Sequence, residues 1–183
     1  SFDEAMQFSD KVTEVTHNHP EGMKGARATT QAIWMTLRGE APEDIRKQIG
    51  ATYAYDLDRT LDEIRPTYRF NESCQRTVPE AIICALQAEN YIDAIRSAIS
   101  IGGDSDTLAA ICGPIAEARF GIPEEITIEG LGKLPQDILQ VLLATYLKAM
   151  ERQSRLQNTS PAWMGSAQRI IKYLGDQQQK GGA

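Results

Sequence analysis

The sequence predicts an all-α fold made of one domain. Apolar residues recur at the three- and four-residue spacing of amphipathic helices along most of the 183 residues, whereas the alternating pattern of strands is nearly absent. Glycine and proline mark the ends of several helical segments, with no internal repeat and no linker that would separate two domains. A chain of this length is sufficient to bury one hydrophobic core.

Caps and breakers set the expected helix boundaries. The second predicted helix ends at Gly39, and Pro42 lies near the first turn of the third helix. Asp58 is expected to cap the fourth helix, which ends before Pro66. Residues 51–56 are expected to be irregular, and a loop over 67–77 precedes a helix that begins at Val78. The predicted helices span residues 2–14, 22–38, 41–49, 58–64, 78–88, 91–101, 107–120 and 135–155.

The chain after residue 150 is interpreted as an addition to the main domain, which spans residues 1–150. Residues 158–161 predict a turn and a helix start, and weak helical spacing follows from Trp163 to Leu174. The polar run 177–182 is expected to be disordered. Residues 151–183 are therefore predicted to be a helical extension with a disordered tail.

Composition narrows the class of partner. The chain has 19 Lys and Arg against 25 Asp and Glu, a formal net charge of −6, and no basic stripe, so nucleic acid is not expected as a partner. An apolar run of membrane-spanning length and a signal-peptide pattern are both lacking, so no membrane association is expected. The three cysteines are widely spaced; Cys84 and Cys112 fall at apolar helical positions and are expected to be buried thiols. This cysteine usage favours a cytoplasmic location.

The most informative segment is Gly102-Gly103-Asp104-Ser105-Asp106-Thr107, which ends one helical segment and opens the next. The glycines allow a sharp turn with close backbone approach. Asp104, Asp106 and Thr107 then lie at a helix start and offer oxygen ligands suited to a hard divalent cation. Asp and Ser are also common N-caps, and an Asp in the first turn complements the helix dipole, so the pattern is open to a capping interpretation as well.

A second segment contains the only two histidines. His17, Asn18 and His19 come directly before Pro20, at the start of a helix with a stripe of small residues. A zinc site is weakly supported because a third imidazole or thiolate ligand is lacking nearby. We expect one histidine to donate a hydrogen bond to an anionic or hydroxylated ligand, although a polar loop with a proline at the helix start has the same pattern. The small residues predict close helix packing.

Together these segments resemble the ADP-ribosylglycohydrolase family, which includes dinitrogenase reductase-activating glycohydrolases. The family's last metal motif reads Gly-Gly-Asp-(Ser/Thr)-Asp-Thr, which residues 102–107 match. The segment Thr16-His17-Asn18-His19-Pro20-Glu21-Gly22 and the stretch 55–82 are similar to short bacterial members, and the resemblance covers about residues 2–150. It implies a compact, orthogonal multi-helix domain and a hydrolase that removes ADP-ribose from a modified protein or small acceptor.

The resemblance also assigns roles. Asp104 and Asp106 would be the catalytic carboxylates and, with Thr107, metal ligands for Mg²⁺ or Mn²⁺ in a two-metal site. The substrate would contact residues of two segments, with His17 closer to it than His19 and two aromatic rings stacking on adenine. The implied substrate-binding residues are His17, Asn18, Glu21, Gly22, Tyr68 and Phe70.

The chain departs from the family in one respect. Members begin with a Gly-Asp helix, a Thr-Asp-Asp metal motif and a Gly-rich loop, and none of these occurs in the 183 residues. The chain is therefore expected to be the C-terminal half of such an enzyme, and a chain carrying the other half is an expected partner. The alternative is a diverged, non-catalytic domain that binds ADP-ribose or a partner chain.

Overall fold

Every regular element in the described part of the chain is helical. The computed structural model describes residues 1–153 and 161–181, and the all-α prediction is confirmed. The helices are α1 (Phe2–Thr13), α2 (Pro20–Leu37), α3 (Pro42–Tyr53), α4 (Leu61–Ile64), α5 (Cys74–Gln87), α6 (Tyr91–Ser100), α7 (Ser105–Phe120), α8 (Glu124–Leu131), α9 (Gln136–Gln153) and α10 (Pro161–Gly181).

Helix α5 lies in the centre of the main core. All its residues from Thr77 to Leu86 are buried, and it packs against α2, α6 and α7. It begins at Cys74, four residues before the predicted start at Val78, and so contains Pro79. Pro79 lacks the N–H that would donate to the Gln75 carbonyl, close to the N-terminal end of the helix. The free energy gained by burying this helix outweighs the loss of that one hydrogen bond.

Helix α7 is the second organising element, as its small residues predict. It contacts α2, α5, α6 and α10, and Cys112, Gly113 and Ala116 are buried along it. A Cβ on Gly113 would lie 3.7 Å from Ile95 of α6, which is ordinary contact. Cys84 and Cys112 are both buried, as predicted, and burial raises the pKa of the Cys84 thiol to about 12.

Two further boundary predictions were wrong, and one helix was missed. Helix α3 continues to Tyr53, so residues 51–53 are helical. Thr60, and not Asp58, caps α4, because Thr60 and Glu63 form a reciprocal capping box. Helix α8 was not predicted because its sequence shows little amphipathic spacing. Two of its apolar residues, Ile126 and Ile128, are 39% and 45% exposed.

The last three helices form a smaller apolar cluster of their own. Its buried residues are Leu131, Leu139, Leu143, Ile170 and Leu174. The cluster is fastened to the end of α7, where Ser166 of α10 accepts a hydrogen bond from the Ile122 N–H and Arg169 donates to the Ile122 carbonyl at 2.6 Å. Gly121, with φ +72, permits this approach, because a Cβ there would lie 2.6 Å from the Ala162 carbonyl oxygen.

Helix α10 also corrects the prediction for the tail. It extends to Gly181, so residues 177–181 are helical and not disordered. The predicted turn at 158–161 falls largely on residues 154–160, outside the described residues. None of the helices in the described ranges is long and apolar enough to cross a membrane.

One ion pair inside this fold is expected to matter for stability. Glu80 on α5 is buried, with its side chain 5% exposed, and accepts a hydrogen bond from Arg59 at 2.9 Å. We predict that Arg59→Met lowers the free energy of unfolding by about 3 kcal/mol, because it leaves a carboxylate unpaired in the core. This is the low end for a broken buried pair, since the Arg59 side chain is 34% exposed. Urea denaturation measures the change in the free energy of unfolding.

The control is Arg65→Met, which removes the pair between Arg65 and Asp62, whose carboxylate is 92% exposed. We expect this to cost less than about 1 kcal/mol. The double variant Arg59→Met/Glu80→Gln should recover part of the loss. Equal costs for the two single variants would contradict the assignment.

Candidate active site

The aspartate turn, residues 102–107, precedes and opens α7. Gly102 and Gly103 adopt positive φ of 80 and 70. Asp104 occupies the N-cap position, but its side chain makes no capping hydrogen bond. Asp106 accepts the backbone N–H of Thr107 at 3.0 Å. The capping interpretation therefore does not account for the Asp104 carboxylate, which remains available to a ligand.

The two aspartates of this turn influence each other. A hydrogen bond with the Asp104 side chain has the largest effect in lowering the pKa of Asp106, and the backbone N–H groups of Thr107 and of Asp106 itself add to it. Asp104 is half-buried, whereas Asp106 and Thr107 are exposed. Within the described ranges neither aspartate takes part in an ion pair. Two neighbouring carboxylates repel each other unless a proton or a cation lies between them.

Tyr68 packs underneath the aspartate turn. A Cβ on Gly103 would lie 2.6 Å from Cε1 of Tyr68 and 3.3 Å from the Arg69 carbonyl oxygen, so only glycine fits. Tyr68 is 4% exposed, and burial raises the pKa of its hydroxyl. The expectation that Tyr68 stacks on a ligand needs correction, because its ring lies in the core. Phe70, which is 63% exposed, remains a candidate for stacking.

The histidine segment forms the turn between α1 and α2. His19 is the N-cap of α2, and its Nδ1 accepts the Glu21 N–H at 3.2 Å. His17 Nδ1 lies 2.8 Å from the Thr16 hydroxyl. Both contacts engage Nδ1 and leave Nε2 for other partners. Because His19 accepts a hydrogen bond at Nδ1, its ring is held by the turn and only Nε2 can donate.

This turn forms one side of a polar cleft of about 320 Å³. Four of the predicted substrate-binding residues, His17, Asn18, Glu21 and Gly22, line it. The opposite side comes from Glu72, Ser73, Cys74 and Gln75 at the start of α5. None of these four residues was predicted to be part of a site, because residues 67–77 were expected to form a loop before a helix start at Val78. Ser73, an ordinary N-cap residue, was the local signal for the earlier helix start.

Two helix N-termini, those of α2 and α5, meet at the polar cleft. Ser73 occupies the N-cap position of α5 without a capping bond, and its hydroxyl donates to Asn71 instead. The first turn of α5 contains no acidic residue. The positive ends of two helix dipoles favour an anion in this cleft, whereas the carboxylates of Glu21 and Glu72, which also line it, oppose one.

The loop over residues 68–73 connects the aspartate turn to the polar cleft. One end contacts Gly103 through Tyr68 and Arg69, and the other end lines the cleft at Glu72 and Ser73. Six residues span at most about 20 Å, so the two groups lie within that distance of each other. The described residues contain no group of three or more His, Cys, Asp or Glu side chains that could hold a metal ion.

The contact below the aspartate turn gives a prediction with a neighbouring control. Gly103→Ala combines positive φ with a clash against Tyr68, whereas Gly102→Ala has positive φ but nothing within 4 Å. We predict that Gly103→Ala lowers the free energy of unfolding by about 2 kcal/mol more than Gly102→Ala, the usual cost of overpacking a core. Urea denaturation of both variants measures the difference. Equal losses would mean that Tyr68 moves aside freely.

Comparison with known proteins identifies the family. An uncharacterized protein of Archaeoglobus fulgidus is 26% identical over 140 residues, an alignment that covers 68% of this chain and 46% of the relative. The chain thus spans about half the length of the curated relative it matches. No solved structure matches the chain. The model of the ADP-ribosylglycohydrolase family matches residues 1–158, and the chain belongs to that family.

Proposed function

We propose that this chain supplies part of the active site of a metal-dependent ADP-ribosylglycohydrolase. The assembled enzyme hydrolyses the glycosidic bond between ADP-ribose and a modified protein or small acceptor. The observation that carries the proposal is the Asp104 carboxylate, which lies at a helix N-cap, makes no capping bond and lowers the pKa of Asp106 through a hydrogen bond. Family membership supports the class of reaction.

The side chains of the aspartate turn suit a hard cation, but they provide too few ligands to bind one alone. Asp104, Asp106 and Thr107 provide carboxylate and hydroxyl oxygens, the ligands that Mg²⁺ and Mn²⁺ prefer. Mg²⁺ requires six ligands in octahedral geometry, and a two-metal site needs more still. The residues therefore fit one side of such a site, and water or other protein groups would complete it.

The side chains of this turn would hold the cation and keep it fixed at the substrate. When bound, a divalent cation would supply a Lewis acid for the ribose hydroxyls and for a water molecule near the anomeric carbon. Asp104 and Asp106, with Thr107 beside them, would hold and orient it, and they are the proposed catalytic residues. Held on a helix start, the two carboxylates lose little further freedom when the cation binds.

The polar cleft is proposed to hold the diphosphate of ADP-ribose. The positive ends of α2 and α5 meet there, and His17 can donate a hydrogen bond from Nε2 to a phosphate oxygen when Nδ1 accepts from the Thr16 hydroxyl. Asn18 and Glu21 shape the same turn. Phe70, exposed on the loop that connects the cleft to the aspartate turn, offers a ring on which adenine can stack.

A second candidate function follows from the short donor set. Without further carboxylates the chain would bind ADP-ribose or a partner chain and release no product. The three free thiols, two of them buried, support the proposed cytoplasmic location for either function.

The deciding experiment measures release of free ADP-ribose from a modified protein with Mg²⁺ or Mn²⁺. We expect little or no release by residues 1–183 alone. Release should appear when a polypeptide with a Gly-Asp helix and a Thr-Asp-Asp motif is added. Binding of ADP-ribose without release under both conditions would favour the non-catalytic alternative, and fast metal-dependent turnover by the chain alone would contradict the assignment of the site.

The two aspartates can be tested separately from helix capping. We predict that Asp104→Asn and Asp106→Asn each reduce ADP-ribose release by the completed enzyme at least about 100-fold, a typical loss when a group that acts in the transition state is removed. The matched control is Asp137→Asn, which removes an exposed acid from the first turn of α9. A loss of the same size in the control, or unchanged rates in the two variants, would contradict a role in the site.

Gly22 offers a test of the polar cleft. A Cβ on Gly22 would lie 2.9 Å from the His17 carbonyl oxygen, so alanine must displace the histidine turn, whereas Gly130 in α8 has nothing within 4 Å. We predict that Gly22→Ala weakens ADP-ribose binding about 10-fold, equivalent to 1.4 kcal/mol. Gly130→Ala should bind as the unaltered chain does. Isothermal titration measures both, and equal affinities for the two variants would exclude the cleft as the binding surface.

A further inference from the structure

The three thiols of this chain differ in their access to solvent. Cys84 and Cys112 are buried, and burial raises the pKa of both, which keeps them protonated and unreactive. Cys74 is half-buried, begins α5 and lines the polar cleft. It also lines an open groove beside α1, where Phe8 and Val12 are exposed. Cys74 is therefore accessible to small molecules.

The charges around Cys74 favour the thiolate, which is the nucleophilic form of cysteine. The positive end of the α5 dipole lies at this residue, and the first turn of α5 contains no acidic residue. The carboxylates of Glu21 and Glu72, which line the same cleft, act in the opposite direction. Their effect is reduced, because Glu21 is paired with Lys24 at 3.3 Å and Glu72 is exposed to water.

A buried hydroxyl without a partner lies next to the polar cleft. Tyr55 is 8% exposed, and its hydroxyl forms no hydrogen bond with the described residues. Burial has the largest effect in raising the pKa of this hydroxyl, and the charges of Glu21 and Cys74 add to it. Both of those residues line the cleft, so the hydroxyl faces the cleft from the core side. An unpaired buried donor is costly, and a thiolate at Cys74 would offer it an acceptor.

The fold also brings a histidine to the same cleft, which the sequence could not show. His17 and Cys74 are far apart in sequence, yet both line the polar cleft. In the tautomer whose Nδ1 donates to the Thr16 hydroxyl, Nε2 of His17 can accept the proton of a thiol. A thiol at a helix start, with a histidine in the same cleft, has the surroundings of reactive cysteines.

We propose that Cys74 is a reactive thiol that small-molecule disulfides modify, and that this modification closes the polar cleft. The Cys74 thiolate attacks one sulfur of the disulfide, so that a new S–S bond forms and the old one breaks. The other half of the disulfide leaves as a thiolate and takes up the proton that Cys74 released. Cys74 is oxidised and the reagent is reduced to the same extent, and an added thiol reverses the step.

The attached group has a direct consequence for the proposed ligand surface. It would occupy part of the cleft of about 320 Å³ in which the diphosphate of ADP-ribose is proposed to bind. This consequence rests on the proposed function. The reactivity of Cys74 rests only on the helix start, the cleft and the Tyr55 hydroxyl.

The test compares the folded chain of 183 residues with the same chain unfolded in urea. The reagent is dithiobis(nitrobenzoate), an aromatic disulfide, and mass spectrometry of peptides assigns the modified cysteine. We expect Cys74 to react at least about 10-fold faster in the folded chain, because only the fold supplies the groups that favour its thiolate. Cys84 and Cys112 should react more slowly in the folded chain. A Cys74 rate at or below its unfolded rate would overturn the proposal.

Two tyrosine variants test the hydroxyl next to the cleft. Tyr55→Phe removes the unpaired hydroxyl and keeps the buried ring. The matched control is Tyr53→Phe, which removes a hydroxyl that donates to Gln31 at 2.9 Å. We expect Tyr55→Phe to slow the modification of Cys74 and to leave the urea midpoint unchanged or higher, since no hydrogen bond is lost. Tyr53→Phe should lower the urea midpoint and leave the Cys74 rate unchanged, and equal rates in the two variants would contradict the part assigned to Tyr55.

Isothermal titration with ADP-ribose tests the closing of the cleft. We expect the modified chain to bind at least about 10-fold more weakly and a thiol reductant to restore the affinity. Cys74→Ser should bind equally before and after treatment with the disulfide. Equal binding by the modified and unmodified chain would overturn the closing of the cleft. No binding by the unmodified chain would reject the proposed function, whereas a fast Cys74 reaction in the folded chain would still support the reactive thiol.

Discussion

The close contact between Gly103 and Tyr68 is the constraint on which the rest of the site depends. It is possible only because the residue has no Cβ and tolerates φ of 70, and it fixes the aspartate turn on a ring that is itself part of the core. The loop that carries Tyr68 continues to Ser73, where α5 begins. One contact thus sets the position of the aspartate turn relative to the polar cleft.

The unusual features of the surface have a common explanation in the proposed function. Asp104 is at an N-cap without capping, the α5 N-terminus lacks both a side-chain cap and an acid, and α1 leaves its apolar face uncovered. Each carries a cost that folded proteins usually avoid. A cation at Asp104, a diphosphate at the start of α5 and a partner surface on α1 would each satisfy one of them.

Much of the fold could be predicted from the sequence, because helical periodicity and helix ends marked by glycine and proline are local signals. The helix class and the buried thiols follow from spacing alone. The start of α5 at Cys74 did not, since tertiary burial of that helix overrides the local signal of Pro79. The burial of Tyr68 and the open groove beside α1 depend on contacts distant in sequence, which no local pattern reports.

The central claim is that Asp104 and Asp106 form one side of a divalent cation site. The most direct measurement is an anomalous difference map from crystals of the chain grown with Mn²⁺. The account predicts a peak that both carboxylates contact, with metal–oxygen distances of about 2.0–2.6 Å. A map without a peak at the aspartate turn, in crystals where the two side chains are ordered and point apart, would contradict it.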